Sequence, residues 1–120
     1  MDRKYVLAID QSTQGTKAIL FDENGNLKTR YDLPHRQIVN DRGWVSHDLE
    51  EIYRNTVQAV SSVIEKAGIM KKEIACIGIS NQRETSCAFE KGTGRPLALA
   101  VVWQCERAKG IAERVRKNAI

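Results

Sequence analysis

The chain is poor in aromatic residues, proline and cysteine. Aromatics make up 6% of its 120 residues, with 2 prolines and 3 cysteines. Few aromatics leave little stacking surface for single-stranded nucleic acid. The scarcity of proline, with no low-complexity tract, argues against a linker or a disordered region. Cys76, Cys87 and Cys105 are widely spaced and form no CxxC pair. A disulfide framework or zinc site is therefore not expected. Cys76 and Cys87 fall in predicted strands and read as small buried apolar side chains. No apolar run approaches the roughly 20 residues of a membrane-spanning helix. Met1-Asp2-Arg3-Lys4 runs straight into the first strand, so no signal peptide is expected and a cytoplasmic location fits.

What is present is globular. The chain is 42% hydrophobic and 28% charged, enough for one domain or part of one. The net charge is +4. The basic residues are scattered, with their densest stretch in the last dozen positions on a predicted helix. Nucleic-acid readers concentrate them in a stripe with stacking residues, so no nucleic-acid partner is expected.

Tyr5 to Ile9 is a continuous apolar run, predicting a central strand buried on both faces. A polar turn leads to a second strand over Thr16 to Phe21. Asn24-Gly25 signals a hairpin, because both residues accept positive φ. A third strand runs from Leu27 to Leu33 and ends at Pro34, which lacks an N–H donor. Leu49, Ile52, Tyr53, Val57, Val60, Val63, Ile64 and Ala67 recur at helical spacing. Asp48 is the expected cap, Glu51 completes a capping box, and Gly68 is the stop. Glu73 to Ser80 reads as a fourth strand, with Gly78 marking a close backbone approach. Thr85–Phe89 and Pro96–Val102 read as a further hairpin, and Cys105 to Asn118 as a helix. The order is β-β-β-α-β-β-β-α, and the crossover helix implies a mixed sheet.

Two segments point to chemistry. Asp10 closes a buried strand, where a carboxylate needs a counter-ion. The following Gln11 to Lys17 stretch carries the Ser12, Thr13 and Thr16 hydroxyls, two amides, Gly15 and the Lys17 charge. Such a turn can direct N–H and O–H groups at phosphate oxygens, with Asp10 holding Mg²⁺ through water. An ordinary hairpin turn uses the same residue types. It is not a Walker A loop, because Gly-Lys-Ser/Thr is absent. Further on, Arg83-Glu84 offers donors and acceptors in one place, as a vicinal diol requires, and Trp103 offers an apolar face. Taken alone, the same residues also fit a surface ion pair and a core tryptophan.

Three ordered segments decide between these readings. They are Asp10-Gln11-Ser12-Thr13-Gln14-Gly15-Thr16-Lys17, then Gly43-Trp44-Val45-Ser46-His47-Asp48, then Asn81-Gln82-Arg83-Glu84-Thr85 with Trp103-Gln104. As a set they resemble the N-terminal part of the FGGY carbohydrate kinases, most closely the glycerol-kinase branch. The resemblance implies the ribonuclease-H-like fold shared by actin, Hsp70 and sugar kinases. It makes residues 1–120 the N-terminal part of the first kinase domain, the remainder of which would be its partner. It also implies ATP and Mg²⁺ as cofactors and phosphorylation of a small polyol or sugar, glycerol foremost.

Site roles follow residue by residue. Thr13, Gln14, Gly15 and Lys17 would meet the nucleotide, Asp10 the metal, and Arg83, Glu84 and Trp103 the acceptor. The catalytic base would lie beyond Ile120, so the segment alone is expected to be inactive. Ser12 stands where the branch usually has Gly, Lys17 where it has Arg, and Gln14-Gly15 replaces a hydroxyl-rich pair. These departures keep another acceptor, such as xylulose or a tetritol, in view. A non-catalytic nucleotide-binding or scaffold fragment is a further alternative, as is a homo-oligomer formed through open strand edges. Trp44 reads as a hydrophobic anchor. His47 and His35 carry no assigned chemistry.

Overall fold

The computed structural model describes residues 2–119. They form β1 (Tyr5–Gln11), β2 (Gly15–Phe21), β3 (Leu27–Pro34), β4 (Ile38–Val39), β5 (Val45–His47), α1 (Leu49–Ala67), a 3-10 turn (Lys71–Glu73), β6 (Ile74–Ser80), β7 (Ala100–Val101) and α2 (Lys109–Asn118). The chain divides into two compact units, Met1–Arg36 with Glu50–Arg83, and Gln37–Leu49 with Glu84–Ile120.

The first unit is a four-stranded sheet in the order β3-β2-β1-β6. β1 pairs antiparallel with β2 and parallel with β6, so α1 is the crossover that the sequence predicts. Asp22 shapes the β2–β3 hairpin, its carboxylate accepting the Asn24 and Asn26 backbone N–H groups at 2.9 Å while Gly25 takes φ 82°. α1 ends as expected: Gly68 has φ 68° and its N–H bonds the Glu65 carbonyl at 3.0 Å.

One face of the sheet packs on α1. Leu7, Ile9, Ala18 and Leu20 meet Ala59, Val63 and Ile64 in a single core. The register aligns Leu7 with Leu20 and Ile9 with Ala18, so the cross-strand pairs point the same way. β1 is therefore not buried on both faces, and Val6 on its other side is 37% exposed. The helical stripe is also wider than the contact it makes. Tyr53 and Val57 are exposed, and Ala59, outside the predicted stripe, is fully buried.

Two further expectations change, for Gly78 and the cysteines, and Glu51 makes a contact that the sequence does not predict. Glu51 engages Arg36, its carboxylate accepting the Arg36 backbone N–H at 2.6 Å and the guanidinium Nε–H at 3.0 Å. Gly78 marks no close approach, since a Cβ there would meet nothing within 4 Å. Cys76 and Cys87 are exposed. Cys76 lies on β6, which pairs only with β1 among the described residues, and Cys87 lies outside any strand.

The second unit holds a small sheet in the order β4-β5-β7. The predicted hairpin survives as two isolated bridges, Ser86 with Val101 and Phe89 with Pro96. Its first arm is not a strand, and β4 and β5 were not foreseen. Trp44 anchors this unit through charge as well as apolar area. The Arg42 and Arg107 guanidinium groups lie 5.1 and 4.9 Å from its ring centre. Arg107 also bonds the Val45 carbonyl and the Ser46 hydroxyl. These contacts belong to the stretch after Cys105, and α2 begins only at Lys109. His47 is fully buried on β5 opposite Ala100.

Candidate functional site

The β1–β2 turn is tightly closed. The Ser12 N–H and the Ser12 hydroxyl both donate to the Gly15 carbonyl, each at 3.0 Å. The Gln14 carbonyl accepts the His35 backbone N–H at 2.9 Å. Gly15 is buried against β3, and a Cβ there would stand 2.5 Å from the Leu33 carbonyl oxygen. Glycine is thus required by the close strand approach, without positive φ. Thr13 is half-buried at the tip and Gln14 is exposed.

Strand pairing divides the chemically interesting residues between two faces. Asp10 lies opposite Lys17, Lys17 opposite Asp32, and Asp10 beside Ser80. Cross-strand partners share a face, so Asp10, Lys17, Asp32 and Ser80 line the side away from α1. Asp10 and Lys17 are both half-buried there. The Arg30 side chain holds the Asp32 carboxyl below the usual aspartate value, and Lys17 adds a smaller pull. Gln11 and Thr16 are paired on the core side, continuing the rows Leu7–Ile9 and Ala18–Leu20.

Thr16 is consequently not a phosphate ligand of the kind the turn's composition suggests. It is fully buried, and its hydroxyl sits 3.0 Å from His35 Nε2. Around it lies a polar network that sequence reasoning missed. The Asn55 amide Nδ2 donates to the Pro34 carbonyl at 3.0 Å and stands 3.1 Å from His35 Nδ1. The Gln11 amide Nε2 is 3.3 Å from His35 Nε2 and donates to Gln82 Oε1 at 3.3 Å. One signal was available: Leu7, Ile9 and Gln11 fall on one face at period two, so an amide ends an inward-facing apolar row.

Among the described residues no group of three or more His, Cys, Asp or Glu side chains can hold a metal. A lone carboxylate such as Asp10 suits Mg²⁺, which keeps its waters and is shared with substrate phosphates.

The acceptor candidates fall at the junction in the chain. Arg83 ends the first unit and is exposed in the turn after β6. Glu84 opens the second with φ 59°, the only positive φ at a non-glycine among the described residues. Such a backbone costs about 1–2 kcal/mol and persists only where the surrounding structure holds it. In the second unit Trp103 is 55% exposed, beside the fully buried Val102. Its neighbour Gln104 accepts the Gln37 amide at 2.9 Å. An apolar groove of about 580 Å³ lies elsewhere, between α1 and β6, lined by Leu7, Val57, Val60, Ile64, Ile74 and Ile77 among others.

A mixed sheet crossed by one helix, with a tight polar turn between its first two strands, is the architecture of the sugar-kinase class of the ribonuclease-H-like fold. The family model for the FGGY carbohydrate kinase N-terminal domain matches residues 5–120. The chain belongs to the FGGY family of carbohydrate kinases. It is 51% identical over 116 residues to glycerol kinase 1 of Thermotoga maritima, covering 97% of this chain and 24% of that protein. It superposes on the Plasmodium falciparum glycerol kinase with ADP at TM-score 0.90 and 33% identity, covering 99% of this chain and 24% of the other. A gluconate kinase from Lactobacillus acidophilus matches at TM-score 0.85 and 22% identity, over 96% and 23% of the two chains, which shows the shared fold. The chain thus spans about a quarter of the length of these relatives.

Proposed function

We propose that the kinase of which this chain forms the N-terminal part transfers the γ-phosphoryl group of ATP to a hydroxyl of glycerol. The observation that carries the reading is Glu84, held with φ 59° directly after Arg83. A strained backbone at a charged, exposed residue is unnecessary for a surface ion pair. It suits a carboxylate aimed at a ligand. The similarity to proteins named glycerol kinase, at 51% and 44% identity, supports the choice of acceptor.

In this reading the Arg83 guanidinium donates to acceptor hydroxyls and the Glu84 carboxylate accepts from them. Trp103 offers the carbon side of the polyol an apolar surface. The acceptor oxygen attacks the γ-phosphorus, a new P–O bond forms, and the bond to the β–γ bridging oxygen breaks, leaving ADP. The hydroxyl proton passes to a base outside this segment, so the segment alone is inactive. Thr13, Gln14, Gly15 and Lys17 hold the phosphates near the end of β1, Gly15 by letting the turn close. Asp10 would hold Mg²⁺, which would supply charge neutralisation on the phosphates.

The test is ATP consumption by the complete kinase with glycerol, xylulose, erythritol and gluconate side by side. Preference for glycerol, lost in Arg83→Ala and Glu84→Ala, is the expected result. Preference for a pentulose would keep the phosphoryl transfer and refute the acceptor. No turnover with any acceptor would refute the kinase reading itself.

A further inference from the structure

The phosphate turn rests on a histidine to which neither the sequence motifs nor the proposed chemistry give a role. His35 is 8% exposed and directly follows Pro34, the residue paired with Gly15. It touches the turn twice. Its backbone N–H donates to the Gln14 carbonyl at 2.9 Å, and its Nε2 lies 3.0 Å from the Thr16 hydroxyl. These two residues flank Gly15, so His35 braces both sides of the point where β1 turns into β2.

The ring's protonation follows from its neighbours. Asn55 Nδ2 donates to the Pro34 carbonyl at 3.0 Å, which identifies it as the amide nitrogen. The same nitrogen is 3.1 Å from His35 Nδ1, so Nδ1 accepts. The ring proton is therefore on Nε2 and is donated to Thr16. Asn55 sits on α1, so the bond fixes the ring's orientation against the crossover helix. The Gln11 amide nitrogen gives its two N–H groups to the Ser12 carbonyl and to Gln82 Oε1, each at 3.3 Å, so its 3.3 Å approach to His35 Nε2 is a contact without a hydrogen bond.

We propose that His35 is a positioning residue for nucleotide phosphates. As the Nε2–H tautomer fixed by Asn55, it holds Thr16 and Gln14 so that the Ser12–Gly15 turn keeps one shape. This rests on the reading of that turn as the phosphate-binding element. The side chain itself lies on the core face, away from Asp10 and Lys17, so it acts through the turn and not on the reacting atoms. A turn displaced by about 1 Å can cost a hundredfold in rate.

The experiment uses the complete kinase and the variants His35→Ala, His35→Gln, Thr16→Val and the His35→Ala/Thr16→Val double. Steady-state constants per active site are measured alongside melting temperature. His35→Ala is expected to raise the KM for ATP at least about tenfold. The KM for the acceptor should change less than about twofold. Glutamine can place an amide N–H near the lost Nε2–H, so His35→Gln should recover most of the affinity. Thr16→Val should reproduce the alanine effect, and the double variant should be no worse than either single. A lower melting temperature with unchanged KM and kcat would show a purely structural role and overturn the proposal. So would equal losses for ATP and acceptor, or additive effects in the double variant. If His35→Ala does not fold, Thr16→Val decides by the same criteria. Wild-type turnover reports separately on the kinase reading.

Discussion

Replacing Gly15 with alanine drives a methyl group into backbone that cannot move aside. The new Cβ would lie 2.5 Å from the Leu33 carbonyl oxygen and 3.2 Å from Pro34 Cα, where ordinary contact begins at 3.4 Å. Neither neighbour is the end of a flexible side chain. Pro34 has its φ fixed by its ring, and Leu33 is held by pairing with Thr16. The β2–β3 pairing must open at Gly15 or the turn must shift. Overpacking of this kind costs about 1–3 kcal/mol, and a backbone obstacle belongs at the upper end. For a chain of this size that is a fall in melting temperature of about 10–15 °C. Thermal unfolding followed by circular dichroism reads it directly. Gly78→Ala is the control, because a Cβ there meets nothing within 4 Å. It should leave stability unchanged or raise it by about 0.5 kcal/mol through the unfolded state. Equal melting temperatures for wild type and Gly15→Ala, or an equal fall in Gly78→Ala, would refute the close-approach argument.

Arg36, through its backbone N–H first and its side chain second, holds the Glu51 carboxyl below the ordinary glutamate value of 4.5. A depressed carboxylate stabilises the fold above its unfolded value and loses that contribution as pH falls through the folded value. Glu51→Gln should therefore cost about 1 kcal/mol at pH 7, with the difference from wild type vanishing in acid below pH 4.5, as urea titrations at several pH values would show. Glu84→Gly should raise stability by about 0.5–1 kcal/mol by relieving the positive φ, while abolishing acceptor binding in the complete kinase; calorimetry and a glycerol titration separate the two effects. Burial raises the Cys105 thiol, but the Arg107 side-chain and backbone donors outweigh it and bring the group below its usual 9.0. Arg107→Ala should slow iodoacetamide labelling of Cys105 at pH 7.5, measured by peptide mass spectrometry.

Much of this molecule is local, and local features were legible. Asn24-Gly25 set the β2–β3 hairpin, Gly68 stopped the helix, and the spacing of apolar residues predicted α1 and β6. Each depends on turn geometry or periodicity within a few residues, which the order of side chains already specifies. The motif set identified the family for the same reason, since the residues stand in fixed order along the chain. The departures arose where burial depends on distant partners. The exposed Cys76 and Cys87, the outward Tyr53 and Val57 and the open surroundings of Gly78 are properties of the covering layer, which a strand's own residues do not encode.

By itself the sequence determined the types of the main elements, the tight turn after β1, and the family to which the chain belongs. Only the tertiary structure decided which residues of that turn share a face. Antiparallel register sets Asp10 beside Lys17 on one side of the sheet and Gln11 beside Thr16 on the other. Because side chains alternate along a strand, neighbours in sequence part company in space, and Thr16 meets His35 from 19 positions away.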